Sequence, residues 1–119
     1  MEVSSIPQYI QGITNAKVDL TTTDATVLYT APSETDFNSS IINSILVSND
    51  SGSADTITVT ITDSTPTVFS LFKVKAVAAN TTIELLTKDL ILQSGEIITV
   101  TAATANRLHV VASVQELTK

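Results

Sequence analysis

Asp55-Thr56-Ile57-Thr58-Val59-Thr60-Ile61-Thr62-Asp63 decides the fold class of this chain. Ile57, Val59 and Ile61 alternate with threonines, so an extended backbone places one apolar row on one face and one hydroxyl row on the other. Nearly every residue in the stretch is β-branched, stiff at χ1 and suited to a pleated, half-buried surface. The stretch reads as a half-buried β-strand.

On its N-terminal side, residues 41–48 form a denser apolar run, and Asn49-Asp50-Ser51-Gly52-Ser53 between the two is rich in turn formers. The pair is expected to be a hairpin. On its C-terminal side, Thr65-Pro66-Thr67 interrupts the pattern, because proline removes a ladder donor and pushes its predecessor into extended geometry. Residues 68–77 then resume as a strand, closed by Ala78-Ala79-Asn80. Residues 82–86 and 90–92 are short strands separated by Lys88-Asp89, Ser94-Gly95-Glu96 supplies the next turn, and residues 97–102 form another strand. In residues 107–114, Leu108, Val110, Ala112 and Val114 share one face and Arg107, His109, Val111 and Ser113 the other. Residues 16–20 and 26–29 complete about eight strands, the latter ended by Ala31-Pro32-Ser33. The pattern predicts an all-β, antiparallel β-sandwich of jelly-roll type over residues 16–119.

Composition agrees. Of 119 residues, 43% are hydrophobic and only 15% charged, with Thr and Ser making up much of the rest, which disfavours a helical domain. A chain of this length buries roughly two-thirds of its unfolded surface, enough for one core. There are no cysteines, so apolar packing and strand pairing must hold the fold without disulfides or thiolate metal sites. A net charge of −6 with six scattered basic residues opposes binding to phosphate backbones. No stretch approaches the roughly 20 apolar residues of a membrane span, and Met1-Glu2-Val3-Ser4-Ser5 lacks the features of a signal peptide. Synthesis and retention in the cytoplasm are expected, so the N-x-S/T triplets at Asn38, Asn49 and Asn80 reflect composition alone.

Residues 1–15 depart from the alternation. Ile6, Tyr9, Ile10 and Ile13 recur at helical spacing despite Pro7 and Gly12. A frayed terminus is the plain reading; the preferred one is an extended arm lying on a neighbouring subunit, with these four side chains as its partner-binding anchors.

No catalytic, cofactor or metal site is expected. His109 is the only histidine, no G-x-S-x-G elbow accompanies it, and a triad needs geometry that spacing does not supply. Asp50 and Asp55 flank Ser51-Gly52-Ser53-Ala54, but a calcium loop needs acids at alternating positions and a closing Glu. Glu34 and Asp36 read as loop solvation, not as a glycosidase pair. Sugar sites commonly present aromatic faces, whereas this chain has no Trp and only Tyr9 and Tyr29. Three unclustered glycines offer no phosphate cradle. If residues 68–77 are extended, Lys73 and Lys75 share a face with Phe69 and Leu71, opposite Val68, Ser70, Phe72 and Val74. Both faces are partly apolar, which fits either a central strand or a subunit contact.

Thr26-Val27-Leu28-Tyr29-Thr30-Ala31-Pro32, Ile45-Leu46-Val47-Ser48-Asn49 and Asp55-Thr56-Ile57-Thr58-Val59-Thr60-Ile61 together resemble small structural virion proteins of tailed bacteriophages. Leu90-Ile91-Leu92, Gly95-Glu96, Ile98-Thr99-Val100 and Leu108-His109-Val110-Val111 continue the likeness across residues 25–117. It is a pattern of strands and turns without a functional motif. The resemblance implies a particle component located in the virion: a capsid decoration or cement protein contacting the major capsid protein, or a neck, tail or fibre-attachment protein. By analogy with cement proteins at three-fold positions it also implies a homotrimer. A host-surface glycan-binding module is the alternative of a different class.

Overall fold

The computed structural model describes residues 9–32 and 39–118. Two antiparallel sheets face one another. The first carries β1 (Tyr9–Asp19), β9 (Leu108–Thr118) and β3 (Ser39–Asn49) in that order, with β6 (Thr81–Glu84) and β7 (Leu90–Gln93) lying end to end along β3. The second has the order β2 (Thr26–Thr30), β8 (Ile97–Ala102), β4 (Asp55–Thr62), β5 (Val68–Val77). β6 and β7 behave as one interrupted strand, so the nine strands among the described residues trace an eight-strand path. First pairs with last, β2 with β8, β3 with β6 and β7, and β4 with β5. Rolling that long antiparallel ribbon over itself adds the β3–β9 and β4–β8 ladders. This is the jelly-roll path.

The expected hairpin between residues 41–48 and 55–63 does not form. β3 and β4 belong to different sheets, and the hairpin is β4–β5. Alternation reports which face of a strand is buried but not its neighbour, and the connection after β3 is built as a corner. Asn49, 1% exposed, supplies it. Its Nδ2 donates to the carbonyls of Ser53 (2.9 Å) and Val77 (3.2 Å), and its Oδ1 accepts from the Ser51 amide (3.0 Å) and hydroxyl (2.7 Å). The true hairpin turn is held by Asp63, whose Oδ1 accepts from the amides of Thr65 (3.0 Å) and Thr67 (2.7 Å) and from the Thr65 hydroxyl. Those bonds, the Thr65 hydroxyl first, lower the Asp63 pKa.

The core lies between the sheets. Ile57 and Val59 of β4, Ile98, Val100 and Ala102 of β8, and Leu108, Val110, Ala112 and Val114 of β9 point inward, as their alternation requires. Ile42, Ile45 and Val47 of β3 stand beside those of β9 in the first sheet, facing β4 and β8 of the second. Burying a Val or Ile side chain of this kind contributes roughly 1.5–3 kcal/mol.

β1 starts earlier than the alternation suggested. It pairs with β9 from Tyr9↔Thr118 to Asp19↔His109, so the division expected at residue 15 falls inside one continuous ladder, with a single irregularity between Ile10 and Gly12. Ladder bonds are made by the backbone and do not require the side-chain alternation that residues 9–15 lack.

Among the described residues, the break between β6 and β7 leaves residues 43–45 of β3 without a strand on that side. Glu84 fills the gap. Its Oε2 accepts from the amides of Ile45 (2.7 Å) and Leu86 (3.2 Å), the Ser44 hydroxyl donates to its Oε1, and Leu85 N donates to Ile45 O (2.9 Å). Desolvation raises the Glu84 pKa, but the bonds from Ser44, Ile45, Leu86 and Leu85 outweigh it and leave the net value lowered. Glu84→Ala is expected to destabilise by about 1 kcal/mol at neutral pH, limited by the exposure of the carboxylate. A depressed carboxylate stabilises above its unfolded pKa and loses that contribution as pH falls through the folded one. The difference between the native chain and Glu84→Ala in urea titrations should therefore shrink on acidification from neutral pH to below the ordinary Glu range. A difference independent of pH would place the stabilisation elsewhere.

Candidate interaction surface

β5 is an edge strand exposed on both faces for most of its length, which resolves the choice between central strand and surface in favour of the surface. Val68 is 61%, Phe69 51% and Val74 58% exposed, a concentration of open apolar side chains on one strand. The register with β4 slips twice, between Ile57 and Val59 and between Val59 and Thr60. Each slip inserts an extra residue in β5, so the simple face assignment of residues 68–77 does not hold. Phe69 and Phe72 both stand beside inward-facing residues of β4, Ile61 and Val59. Val74 has φ 53°, a left-handed conformation that a β-branched side chain rarely adopts, and its amide donates to Thr58 Oγ1 (3.1 Å).

Lys73 and Lys75 flank Val74 and are exposed. Beside them, Leu71 and Phe72 face Leu85, Leu86 and Leu90 across an open groove of about 290 Å³ whose rim carries Lys88 and Asp89. The groove lies between β5 and the residues 85–90 that lead from β6 into β7. This side of the sandwich is apolar and basic on a chain whose net charge is −6. It can hold another apolar surface with acidic neighbours.

The residues singled out by sequence lie apart from it. Ile6, Glu34 and Asp36 fall outside the described residues; Tyr9 and Ile10 lie at the start of β1, and Ile13, 74% exposed, stands on the same edge strand. These positions are on the β1 side of the first sheet, opposite the β6–β7 side. His109 Nδ1 lies 3.2 Å from Asp19 Oδ1 and Nε2 lies 3.3 Å from Asp50 Oδ2, so both ring nitrogens meet carboxylates at one end of the sandwich. Arg107 does not share that contact; its Nη1 donates to Ala54 O (2.9 Å). Asp55 accepts from Thr104 N (3.2 Å) and does not converge with Asp50 on a common point. Tyr29 is only 9% exposed and offers no open ring face for a sugar.

Sequence reasoning missed Tyr29, Ser40 and Glu116 as a group. The Tyr29 hydroxyl donates to Glu116 Oε2 and lies 2.9 Å from Ser40 Oγ, joining β2 of one sheet to β3 and β9 of the other. Separations of 11 and 87 residues leave no local signal for such a contact.

No protein-family model matches the chain, and no curated protein matches it. Among solved structures, a pentameric capsid protein from metagenomic phage sequences aligns over 87% of this chain and 59% of its own, at 17% identity and a TM-score of 0.46. A chain from the structure of infectious bursal disease virus Gx strain aligns over 91% of this chain and 42% of its own, at 10% identity and a TM-score of 0.37. This chain therefore spans less than two-thirds of either, and the likeness is a distant one of strand arrangement.

Proposed function

We propose that this chain is a structural component of a tailed-phage virion, acting as a capsid decoration or cement protein that binds between capsid subunits. The exposed apolar and basic strand β5 supports this reading most directly, because several open apolar side chains gathered on one strand of a small β-sandwich mark a surface made to be covered. The resemblance across residues 25–117 gives that surface its context. Fold alone would not, since one architecture serves many functions. A module of this kind acts by linkage: binding the assembled shell and not its separated subunits stabilises the shell without chemistry. The major capsid protein is the partner in this reading, and a homotrimer at three-fold joints is its arrangement. Ile6, Tyr9, Ile10 and Ile13 supply the arm that contacts the neighbouring virion protein.

Cryo-electron microscopy of virions from cells making this chain tests the proposal. Density for the fold repeated over the shell is the expected result. Density confined to the neck or tail would transfer the function to attachment, and absence from the particle would overturn the virion reading. The arm is tested by substitution, because residues 9–14 belong to the β1–β9 ladder and deleting them would cost stability for reasons unrelated to binding. Ile13→Asp on an exposed site should change stability by no more than about 0.5 kcal/mol. Its occupancy on purified particles should fall below that of the native chain; equal occupancy would remove Ile13 from the contact.

A further inference from the structure

We infer that copies of this chain associate head to tail, the β5 edge of one copy pairing with the β2 edge of the next. The inference concerns contacts between copies and does not depend on where in a particle they sit. Among the described residues, β5 pairs only with β4 and β2 only with β8, so the second sheet ends in two open edges. Each sheet path is four strands wide and antiparallel throughout. A neighbour placed laterally in the same orientation therefore brings β2 alongside β5 with the antiparallel alternation unbroken. The same holds for β1 alongside β6 and β7 in the first sheet.

The rows of the second sheet match side chains across that junction. Thr26, Val100, Val59 and Phe72 occupy one level, and Val27, Thr99, Thr60 and Ser70 the next. Val27, 55% exposed, thus stands in the row of Ser70, next to the open Leu71, while Phe69 lies one row further along. Two residues before Thr26, beyond the Phe72 level and toward Lys73 and Lys75, is the exposed Asp24. No ion pair among the described residues engages Asp24, Lys73 or Lys75. A head-to-tail contact would bring Val27 beside Leu71 and the acidic approach to β2 toward the lysine-bearing end of β5. Pairing β5 with a second β5 would leave both lysines unmatched, since that strand carries no carboxylate.

β5 is also shaped for selective pairing. Its two register slips, the second at Leu71, and its lysines discourage indiscriminate edge addition along residues 71–75, while the segment from Val68 to Ser70 is regularly paired and retains an open edge. The left-handed Val74 costs the isolated chain energy and leaves an apolar side chain in water, a combination that a covering neighbour would offset. Heterologous contacts of this type close into rings when the rotation between copies allows.

Native mass spectrometry and sedimentation of the full chain decide the matter, with Phe69→Asp/Leu71→Asp disabling the β5 side and Val27→Asp disabling the β2 side. The native chain should form an oligomer that loosens with added salt. Each variant alone should be monomeric, and mixing the two should give a 1:1 dimer and nothing larger, because only one intact junction remains. Circular dichroism of each variant should match the native chain, as all three positions are exposed. A monomeric native chain would overturn the inference while leaving the virion reading to the particle experiment. Persistence of the native oligomer in Val27→Asp with its loss in Phe69→Asp/Leu71→Asp would replace it by a two-fold β5 contact.

Discussion

Ile98→Ala is expected to lower the free energy of unfolding by about 2–5 kcal/mol, the largest effect of any single substitution considered. Ile98 is fully buried on β8, an interior strand of the second sheet, with Tyr29 and Ile61 as its neighbours in the row. Truncation removes the transfer free energy of the lost methyl groups and leaves a cavity that two hydrogen-bonded neighbours prevent from collapsing. The urea midpoint should fall with the slope unchanged, since the surface exposed on unfolding is nearly the same. Ile91→Ala provides the contrast. Ile91 is 64% exposed on β7, and its truncation should fall within about 0.5 kcal/mol of the native chain. Equal losses at the two sites would show that the core does not lie where the two sheets meet.

The difference between those two isoleucines was legible only in part. In β4 and β9, strict alternation named the buried residues one by one, because a strand with one wet face leaves its period in the sequence. In β5 the period failed. Two extra residues break the face assignment, and an edge strand is not obliged to hide either face, so nothing in residues 68–77 distinguished a core strand from an exposed one. Partner choice was the other limit. The turn formers after residue 48 marked a reversal correctly in place but not in kind, since Asn49 uses its side chain to carry the strand across to the second sheet. Glu84 carried no signal in the sequence, because its role in bridging the ladder gap depends on β6 and β7 sharing one partner strand. Candidate interaction residues followed the same rule. Lys73, Lys75, Phe69 and Leu71 were noticed as a mixed group, but only their position on a free edge makes them a surface.

Tyr29→Phe should cost about 1–3 kcal/mol at neutral pH, although it removes a single oxygen and leaves the ring volume intact. The cost arises from what remains: Ser40, fully buried on β3, loses a hydroxyl partner, and the Glu116 carboxylate loses a donor in a partly buried site. The same clasp should appear in the alkaline limb of the stability curve. Burial, and then the bond to Glu116, hold the phenol proton and raise the Tyr29 pKa from 10.0 to about 12, with the Ser40 bond opposing them. Below pH 10 the phenol is protonated in both folded and unfolded chains, and its stabilisation is complete. Between pH 10 and 12 the unfolded chain releases this proton while the folded one retains it, so stability falls as pH rises. Every other ionisable group is common to both proteins. Subtracting the Tyr29→Phe curve from the native one therefore isolates the phenol. The difference should be constant up to about pH 10 and decline above it; a difference that stays flat to pH 12 would mean that the bond joining the two sheets does not hold the phenol proton in solution.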